Sequence, residues 1–201
     1  MKDSAATLAR LLQTADPSWP AQSRQQALAY YQLVLKWNPR LHLTTLTRPE
    51  EFLERHLRES LFAVPFLLPS VASLWDLGTG LGVPGIPLSL LRPDLEVTLV
   101  EASANKAIFL ETVIDDLALT RTRVVCRRFQ ELPPLPSGSV ITVRAIERMD
   151  AILPEILDLG KNAEQILFFC SASFAARLDK PLLHPLPGSY DRWIAELRCS
   201  T

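Results

Sequence analysis

An acidic residue followed by closely spaced glycines stands near the middle of the chain, in the segment WDLGTGLGVPGIPL at 75–88. Its first apolar residues predict a β-strand, which passes Asp76 and opens into a turn with Gly78, Gly80 and Gly82. Glycine adopts positive φ without a Cβ penalty and lets the backbone approach a ligand closely. A strand, a glycine turn and a helix in this order are typical of a nucleotide-like cofactor site. The segment therefore predicts cofactor binding by Asp76, Gly78 and Gly80.

The same turn is compatible with S-adenosylmethionine or with NAD, because the pattern Gly80-x-Gly82-x-x-Gly85 also occurs in dinucleotide-binding dehydrogenases. Two residues favour S-adenosylmethionine, which has no phosphate. Pro84 suits a first helical turn but removes one N–H donor that a pyrophosphate would use. Glu101 ends a second apolar strand, LEVTLVE, at the offset of about 20 residues expected for an acid that binds ribose hydroxyls. We expect S-adenosylmethionine, with an NAD-dependent oxidoreductase as an alternative.

Length and composition indicate a single enzyme domain with a modest appendage. The chain has 201 residues, 48% of them hydrophobic, and a mean hydropathy of +0.12, which suffices for a substantial core. Its three cysteines form no CxxC pair, so they predict neither a disulfide framework nor a metal site. The amino terminus lacks the apolar core of a signal peptide, and Pro65 and Pro69 interrupt the most apolar stretch. We expect a cytoplasmic monomer without membrane contact.

Charge is balanced over the chain but clustered locally. The formal net charge of −1 argues against a generic high-affinity nucleic-acid binder, because phosphate neutralisation dominates that affinity. Arginines nevertheless cluster at Arg55 and Arg58 and again within 121–128. Each cluster is compatible with a local basic face for RNA and equally with solvated surface charge.

The hydrophobic pattern changes near residue 70. Residues 1–70 predict a helical cap, in which one apolar stripe stops at Pro39 and another helix starts near Pro49. Residues 71–201 alternate between strand and helix, which predicts an α/β, Rossmann-like domain with a mostly parallel sheet and helices on both faces. The predicted strands are 73–77, 96–101, 123–126, 140–144 and 165–170, the predicted helices are 84–91, 105–117 and 149–157, and the tail predicts a hairpin at the sheet edge.

Polar residues follow four of these predicted strands. Asp76, Glu101, the segment 128–131 and Arg144 all fall at carboxyl ends of strands. Open α/β sheets bind their ligands outside these ends. We therefore expect the four positions to contribute to one crevice.

With these residues in place, the chain resembles the small-subunit ribosomal RNA guanine-N7 methyltransferases, the family also called glucose-inhibited division protein B. The resemblance is strongest over 37–144 and rests on DLGTGLGVPGIPL, RHLRESL at 55–61, EASANKAIFL at 101–110 and VRA at 143–145. It implies a class I methyltransferase that uses S-adenosylmethionine to methylate guanine N7 in 16S ribosomal RNA. The implied partner is either the naked RNA or the small ribosomal subunit.

The resemblance also implies roles for individual residues. His56 and Glu59 match a histidine and an acid that face the cofactor pocket from the cap, and their i, i+3 spacing places them on one helix face. We expect Arg144 to orient the cofactor or an adjacent phosphate, and His56 to assist catalysis. The implied cofactor contacts are Gly78, Val83, Glu101, Phe129, Gln130 and Arg144.

One departure from the family pattern leaves a further alternative. Cys170 and Ser171 stand where the family tends to end its fifth strand in a lysine–glycine pair, so a cofactor-binding module without catalysis is conceivable. Guanine N7 keeps an unprotonated lone pair at neutral pH, so the reaction needs positioning and no general base. We expect His56 to be the only nearby group able to change charge between pH 6 and 8.5.

Overall fold

The computed structural model describes residues 2–15, 19–144 and 149–199. Seven strands form one sheet, with the first five mutually parallel and the seventh antiparallel between the fifth and the sixth. The strands are β1 (Ser73–Leu77), β2 (Glu96–Val100), β3 (Thr122–Val125), β4 (Ser139–Arg144), β5 (Gln165–Ser171), β6 (Leu182–Pro185) and β7 (Arg192–Arg198). Their order, β3-β2-β1-β4-β5-β7-β6, confirms the predicted Rossmann-like class. The predicted terminal hairpin is β6–β7, with β6 at the edge.

Helices precede the sheet and connect its strands. Three consecutive segments form one uninterrupted helix, which we call the cap helix: α3 (Pro49–Phe52), a π-helical segment (Leu53–Arg58) and α4 (Glu59–Leu61). The other helices are α1 (Lys2–Ala15), α2 (Ala21–Leu41), α5 (Gly85–Leu91), α6 (Ala104–Asp116), α7 (Met149–Leu159) and α8 (Ala172–Ala175), with 3₁₀ turns at Val64–Phe66 and Phe129–Glu131. Within the described ranges, no helix combines the length and apolar character that a bilayer span requires.

The prediction that the second helix stops at Pro39 is wrong, because α2 continues to Leu41. His42 then takes a left-handed conformation, with φ of 48°, and its N–H donates to the Asn38 carbonyl. The side-chain amide of Asn38 also exchanges two hydrogen bonds of 2.9 Å with the main chain of Thr44. These contacts close the last turn two residues beyond the proline, where the N–H that proline lacks breaks only one helical bond.

A shared hydrophobic core joins the cap to one face of the sheet. Tyr30, Tyr31 and Phe52 of the cap are fully buried in the same cluster as Leu99 of β2 and Phe109 of α6. A second cluster, built largely from β4, β5 and α7, covers the other face. Cap side chains that point towards the strand ends are therefore held at fixed positions relative to the sheet.

Candidate cofactor and substrate site

The glycine turn after β1 has the predicted strand–turn–helix form. Gly78, Gly80 and Gly82 have φ of 63°, 60° and 104°, a region that side chains disfavour. A Cβ at Gly82 would lie 2.6 Å from Ile86 Cγ1, and one at Gly85 would lie 2.3 Å from Leu99 Cδ2. Gly78 is exposed, and a Cβ at Gly80 would meet only the Gly78 carbonyl, 4.0 Å away. The turn thus packs through Gly82 and Gly85 and presents bare backbone at Gly78 and Gly80.

Asp76 lies beneath this turn and is fully buried. Its Oδ2 accepts hydrogen bonds from the Gly85 N–H, at 2.9 Å, and from the Thr79 hydroxyl, while Oδ1 accepts from the Thr142 hydroxyl at 2.9 Å. Burial raises the pKa of Asp76 to about 6, and this effect exceeds that of the three hydrogen bonds, which lower the pKa. The carboxylate therefore fastens β1, the turn, α5 and β4 together. Direct contact with a cofactor stays a prediction for Asp76.

Glu101 follows β2 directly and stands beside the exposed part of the turn. Its Oε2 accepts from the Gly80 N–H at 3.0 Å, and its Oε1 accepts from the Ser103 N–H at 2.8 Å. Each carboxylate oxygen can accept a second hydrogen bond, and the side chain retains 8% exposure. Glu101 and the Gly80 backbone therefore form an acidic rim that can receive hydroxyl donors.

Most main-chain donors of the turn already have acceptors inside the protein. Glu101 and Asp76 accept two of them, and main-chain carbonyls of the turn accept the others. These N–H groups belong to Gly80, Gly82, Val83, Gly85 and Ile86. A pyrophosphate would meet occupied amides and the carboxylate of Glu101, whereas dinucleotide sites offer free N–H groups. The turn therefore fits a nucleoside cofactor without phosphate, such as S-adenosylmethionine.

Tyr30 supports the turn from the cap, a contact that the sequence did not reveal. This residue of α2 is fully buried, and its hydroxyl donates to the Leu81 carbonyl at 2.8 Å. Burial raises the pKa of Tyr30, so the hydroxyl stays protonated. The only sequence signal was the apolar stripe of α2, which predicts burial but not which carbonyl the phenol reaches.

Two of the predicted cofactor-binding residues follow β3 and lie on the face of the sheet opposite the cap. Phe129 is buried in the second hydrophobic cluster, and Gln130 Nε2 donates to Glu155 Oε2 of α7 at 2.8 Å. Val83 is buried in the turn before α5. Among the predicted residues, a hydrogen bond joins Glu101 to Gly80 of the turn. The cofactor contacts of Val83, Phe129 and Gln130 stay predictions.

His56 is buried in the π-helical segment of the cap helix. Its Nε2 lies 2.9 Å from Thr44 Oγ1, and its ring packs edge-on against Phe52 with centroids 5.1 Å apart. Burial, followed by the charges of Arg144 and Arg55, lowers the pKa of His56 to about 3. The expectation that His56 changes charge between pH 6 and 8.5 is therefore wrong, because the ring is neutral throughout that range. Its catalytic role stays a prediction.

The π-helical segment creates an acceptor for Arg144. The Glu59 N–H donates to the Glu54 carbonyl, one residue further back than in an α-helix, so the Arg55 carbonyl lacks its usual partner. Arg144 Nη2, at the end of β4, donates to this carbonyl at 2.6 Å and lies 3.1 Å from Glu59 Oε2. Arg144 thus anchors the cap helix to the sheet, and its contact with a cofactor stays a prediction.

Glu59 is the centre of an arginine cluster beside this anchor. Its buried carboxylate forms ion pairs with Arg55 Nε at 2.9 Å, with Arg144 Nη2 at 3.1 Å and with Arg192 Nη1. The sequence analysis predicted a role for Arg144 and left Arg55 open between an RNA-binding face and solvated surface charge. It did not single out Arg192, which begins β7 and pairs with Ser171 of β5. The cluster lines a cavity of about 370 Å³ beyond the ends of β4 and β5. The described ranges contain no group of three side chains arranged for a metal ion.

Comparison with solved structures agrees with the sheet topology. The 23S rRNA methyltransferase ErmE superposes with a TM-score of 0.55 over 73% of this chain and 70% of that one, at 17% identity. A putative methyltransferase, yhhF, from Escherichia coli gives a TM-score of 0.52 over 72% and 86% of the two chains, at 20% identity. At these identities the likeness shows the fold of a class I methyltransferase.

Sequence comparison identifies the family. Residues 23–179 match the family model described as rRNA small subunit methyltransferase G. A relative named ribosomal RNA small subunit methyltransferase G, from Xanthomonas campestris pv. campestris strain B100, is 37% identical over 75% of this chain and 69% of its own length. One of the same name from Stutzerimonas stutzeri is 36% identical over 72% and 68% of the two chains. The predicted resemblance is confirmed, and the chain belongs to the rRNA small subunit methyltransferase G family.

Proposed function

We propose that this protein transfers a methyl group from S-adenosylmethionine to N7 of a guanine in 16S ribosomal RNA. The names of its relatives support a small-subunit ribosomal RNA substrate. The observation that carries the choice of cofactor is the glycine turn, whose amides are engaged by Glu101 and Asp76. That arrangement suits the ribose and adenine of a phosphate-free cofactor and disfavours NAD, so it also disfavours an oxidoreductase activity.

The residues of the turn would bind the nucleoside part of the cofactor. The free lone pairs of Glu101 would accept its ribose hydroxyls, and the bare backbone at Gly78 would allow close approach. By analogy with the family, Val83, Phe129 and Gln130 would complete the contacts. Asp76 would act through the turn that it holds, and Arg144 through the cap helix, so we propose both as positioning residues.

When bound, S-adenosylmethionine supplies a methyl group attached to a positively charged sulfur. Guanine N7 has a free lone pair at neutral pH, so no side chain needs to remove a proton. Burial keeps His56 neutral, with a pKa of about 3, in agreement with a structural and positioning role in the cap. Orienting the two reactants and excluding water would then provide most of the acceleration, within the ~7–11 kcal/mol available from such effects.

The RNA substrate can have two forms, free or within the small ribosomal subunit. We propose that a single chain acts on the small ribosomal subunit or on naked 16S ribosomal RNA, in the cytoplasm, with local basic groups making the contact. The formal net charge of −1 requires that this contact be local, because the chain as a whole does not attract phosphate.

The experiment supplies methyl-labelled S-adenosylmethionine with unmethylated small subunits and, separately, with naked 16S ribosomal RNA. N7-methylguanosine is then mapped by chemical strand scission at the modified base. Glu101→Ala should lower cofactor affinity by the ~1.5–3 kcal/mol of a charge-assisted hydrogen bond, measured by calorimetry. Glu96→Ala, at the exposed opposite end of β2, is the matched control. Binding of NAD in place of S-adenosylmethionine, or label on another atom, would contradict the proposal.

A further inference from the structure

A groove of about 400 Å³ crosses the face of β1, β2 and β3 that is opposite the cap. The strands themselves, the residues just before β3 and Pro136 form its lining, and no α-helix of the described chain contributes. The connection from β3 to β4, residues 126–138, has only the 3₁₀ turn at Phe129–Glu131, whereas α7 packs on β4 and β5. Parallel strands usually have both faces covered, so this part of the sheet is open.

One row of side chains across the three strands shapes the groove. Trp75 pairs with Thr98, and Thr98 pairs with Arg123, so the three side chains lie side by side on one face. Thr98 is short and 3% exposed, whereas Trp75 is half-buried and Arg123 is exposed. Arg123 Nε donates to Thr98 Oγ1 at 3.1 Å, and Arg123 Cζ lies 5.6 Å from the centroid of the Trp75 ring. The groove therefore places an aromatic ring beside a guanidinium group, with Thr98 as the floor between them.

Positive charge exceeds negative charge in this groove. Glu96 is the only carboxylate among the described residues that line it, and Glu96 pairs with Arg121 at 3.2 Å. Within residues 2–15, 19–144 and 149–199, Arg123 has no carboxylate partner, and its two Nη atoms donate no hydrogen bond. The chain as a whole has a formal net charge of −1, so the positive charge here is local. A ligand that fits the groove is therefore anionic and carries a flat ring.

A nucleotide combines these two features. Its phosphate oxygens accept paired hydrogen bonds from the Nη atoms of an arginine, and its base stacks on an aromatic side chain. Bases within a duplex stack on one another, so an aromatic side chain on an open sheet contacts unpaired bases. The groove volume of about 400 Å³ lies within the range of small-ligand sites. These properties favour an unpaired nucleotide over a helical segment of RNA.

We propose that this groove binds an unpaired nucleotide of the RNA substrate, with the base against Trp75 and the phosphate on Arg123. The inference rests on the proposed RNA methylation and adds a contact away from the methylated guanine. Trp75 precedes Gly78 by three residues, which is roughly 10 Å along β1 at ~3.3 Å per residue. One RNA chain can therefore reach the glycine turn and continue over this face of the sheet. The contact strengthens RNA binding and takes no part in methyl transfer.

The test compares two disruptive variants, Arg123→Gln and Trp75→Leu, with two controls. Trp75→Phe keeps an aromatic ring, and Arg10→Gln removes an exposed arginine from α1 of the cap. Filter binding of 16S ribosomal RNA is measured over a range of KCl concentrations. Arg123→Gln and Trp75→Leu should each weaken binding about tenfold, and Arg123→Gln should also reduce the salt slope by about one. Both controls should match the wild type.

A short probe identifies the kind of ligand in the groove. Single-stranded oligoadenylate of ten nucleotides should quench tryptophan fluorescence of the wild type through stacking on Trp75, and Trp75→Leu should lose this quenching. RNA that contains 4-thiouridine should crosslink to the peptide that bears Trp75, as mapped by mass spectrometry. Equal affinity for adenosine monophosphate would indicate a site for free nucleotides, and equal affinity for duplex RNA would indicate a general phosphate contact. Either result overturns the inference.

Methylation assays separate this inference from the proposed function. Arg123→Gln changes an exposed side chain, so it tests the groove even if Trp75→Leu fails to fold. It should raise KM for small subunits while kcat and the affinity for S-adenosylmethionine stay unchanged. Wild-type RNA affinity in folded Arg123→Gln, or an equal loss in Arg10→Gln, overturns the inference and leaves the function intact if the wild type methylates guanine N7. A wild type that binds RNA through the groove but transfers no methyl group refutes only the function.

Discussion

Arg144 Nη2 donates to the main-chain carbonyl of Arg55 across 2.6 Å, which joins the end of β4 to the π-helical segment of the cap. Burial and the charge of Arg55 lower the pKa of Arg144 to about 10, so the guanidinium stays charged at neutral pH. The same group lies 3.1 Å from Glu59. One side chain therefore couples the helix that bears the arginine cluster to the sheet that bears the glycine turn.

Arg144→Lys should loosen this coupling. An ammonium group is compact and lacks the planar fork that reaches the Arg55 carbonyl and Glu59 together. We expect a loss of roughly 1–3 kcal/mol in the free energy of unfolding, measured with urea, together with a lower methylation rate. Arg127→Lys, at an exposed position after β3, should change stability by roughly 0.5 kcal/mol or less. Equal stability of the two variants would contradict an anchoring role.

Tyr30→Phe tests whether the cap holds the glycine turn in shape. The change removes the hydroxyl that donates to the Leu81 carbonyl, which costs roughly 1–2 kcal/mol of stability and should weaken binding of S-adenosylmethionine several-fold. Tyr31→Phe is the matched control, because its hydroxyl donates to the Thr47 carbonyl away from the turn. Thermal unfolding should show similar losses for both, and calorimetry should show a binding defect only for Tyr30→Phe.

Asp76 should make stability fall as pH rises from about 4 to about 6. Its pKa is raised from 3.8 to about 6 by burial, so in this window the folded protein holds a proton that the unfolded chain has lost. The shift corresponds to roughly 3 kcal/mol, which is present below the window and absent above it. In Asp76→Asn, the new amide nitrogen can donate to the Thr142 hydroxyl, which accepts as well as donates. The variant can therefore keep the hydrogen bonds of the carboxylate that it replaces.

Urea unfolding at several pH values should therefore show this slope in the wild type and its loss in Asp76→Asn. Asp94→Asn should retain the slope, because Arg92 lowers the pKa of the exposed Asp94 and moves its contribution below the window. A slope that persists in Asp76→Asn would assign the titration to another group.

Local patterns predicted the strands and the acidic rim because both depend on neighbours in sequence. The strand that contains Asp76 and the one before Glu101 are short apolar runs bounded by turns, and their spacing predicts a ribose contact for Glu101. The structure confirms both strands, within one residue at the end of β2. The hydrogen bond that Asp76 accepts from Thr142, 66 residues away, could not be predicted, because local sequence does not show which distant strand shares this carboxylate.

The arginine cluster depends on contacts that local sequence does not encode. The segment LERHLR suits an ordinary α-helix, yet it adopts π-helical geometry where Arg144 takes the Arg55 carbonyl. Arg192 reaches Glu59 only because β7 inserts between β5 and β6. Such contacts require the register of β7 against β5, which a pattern of alternating residues leaves undetermined.

His56→Gln distinguishes positioning from proton transfer. The neutral ring is bonded to Thr44 Oγ1 and packed on Phe52, so its replacement should disturb the cap helix and lower the single-turnover rate by roughly tenfold, or about 1.4 kcal/mol. With the pKa of His56 at about 3 and that of Asp76 at about 6, neither group changes charge between pH 7 and 8.5. The rate should be flat in that range for wild type and variant alike.

His42→Asn, at the exposed left-handed end of α2, should behave as wild type because asparagine tolerates that conformation. A wild-type rate that rises tenfold per pH unit and becomes flat in His56→Gln would instead identify His56 as a general base.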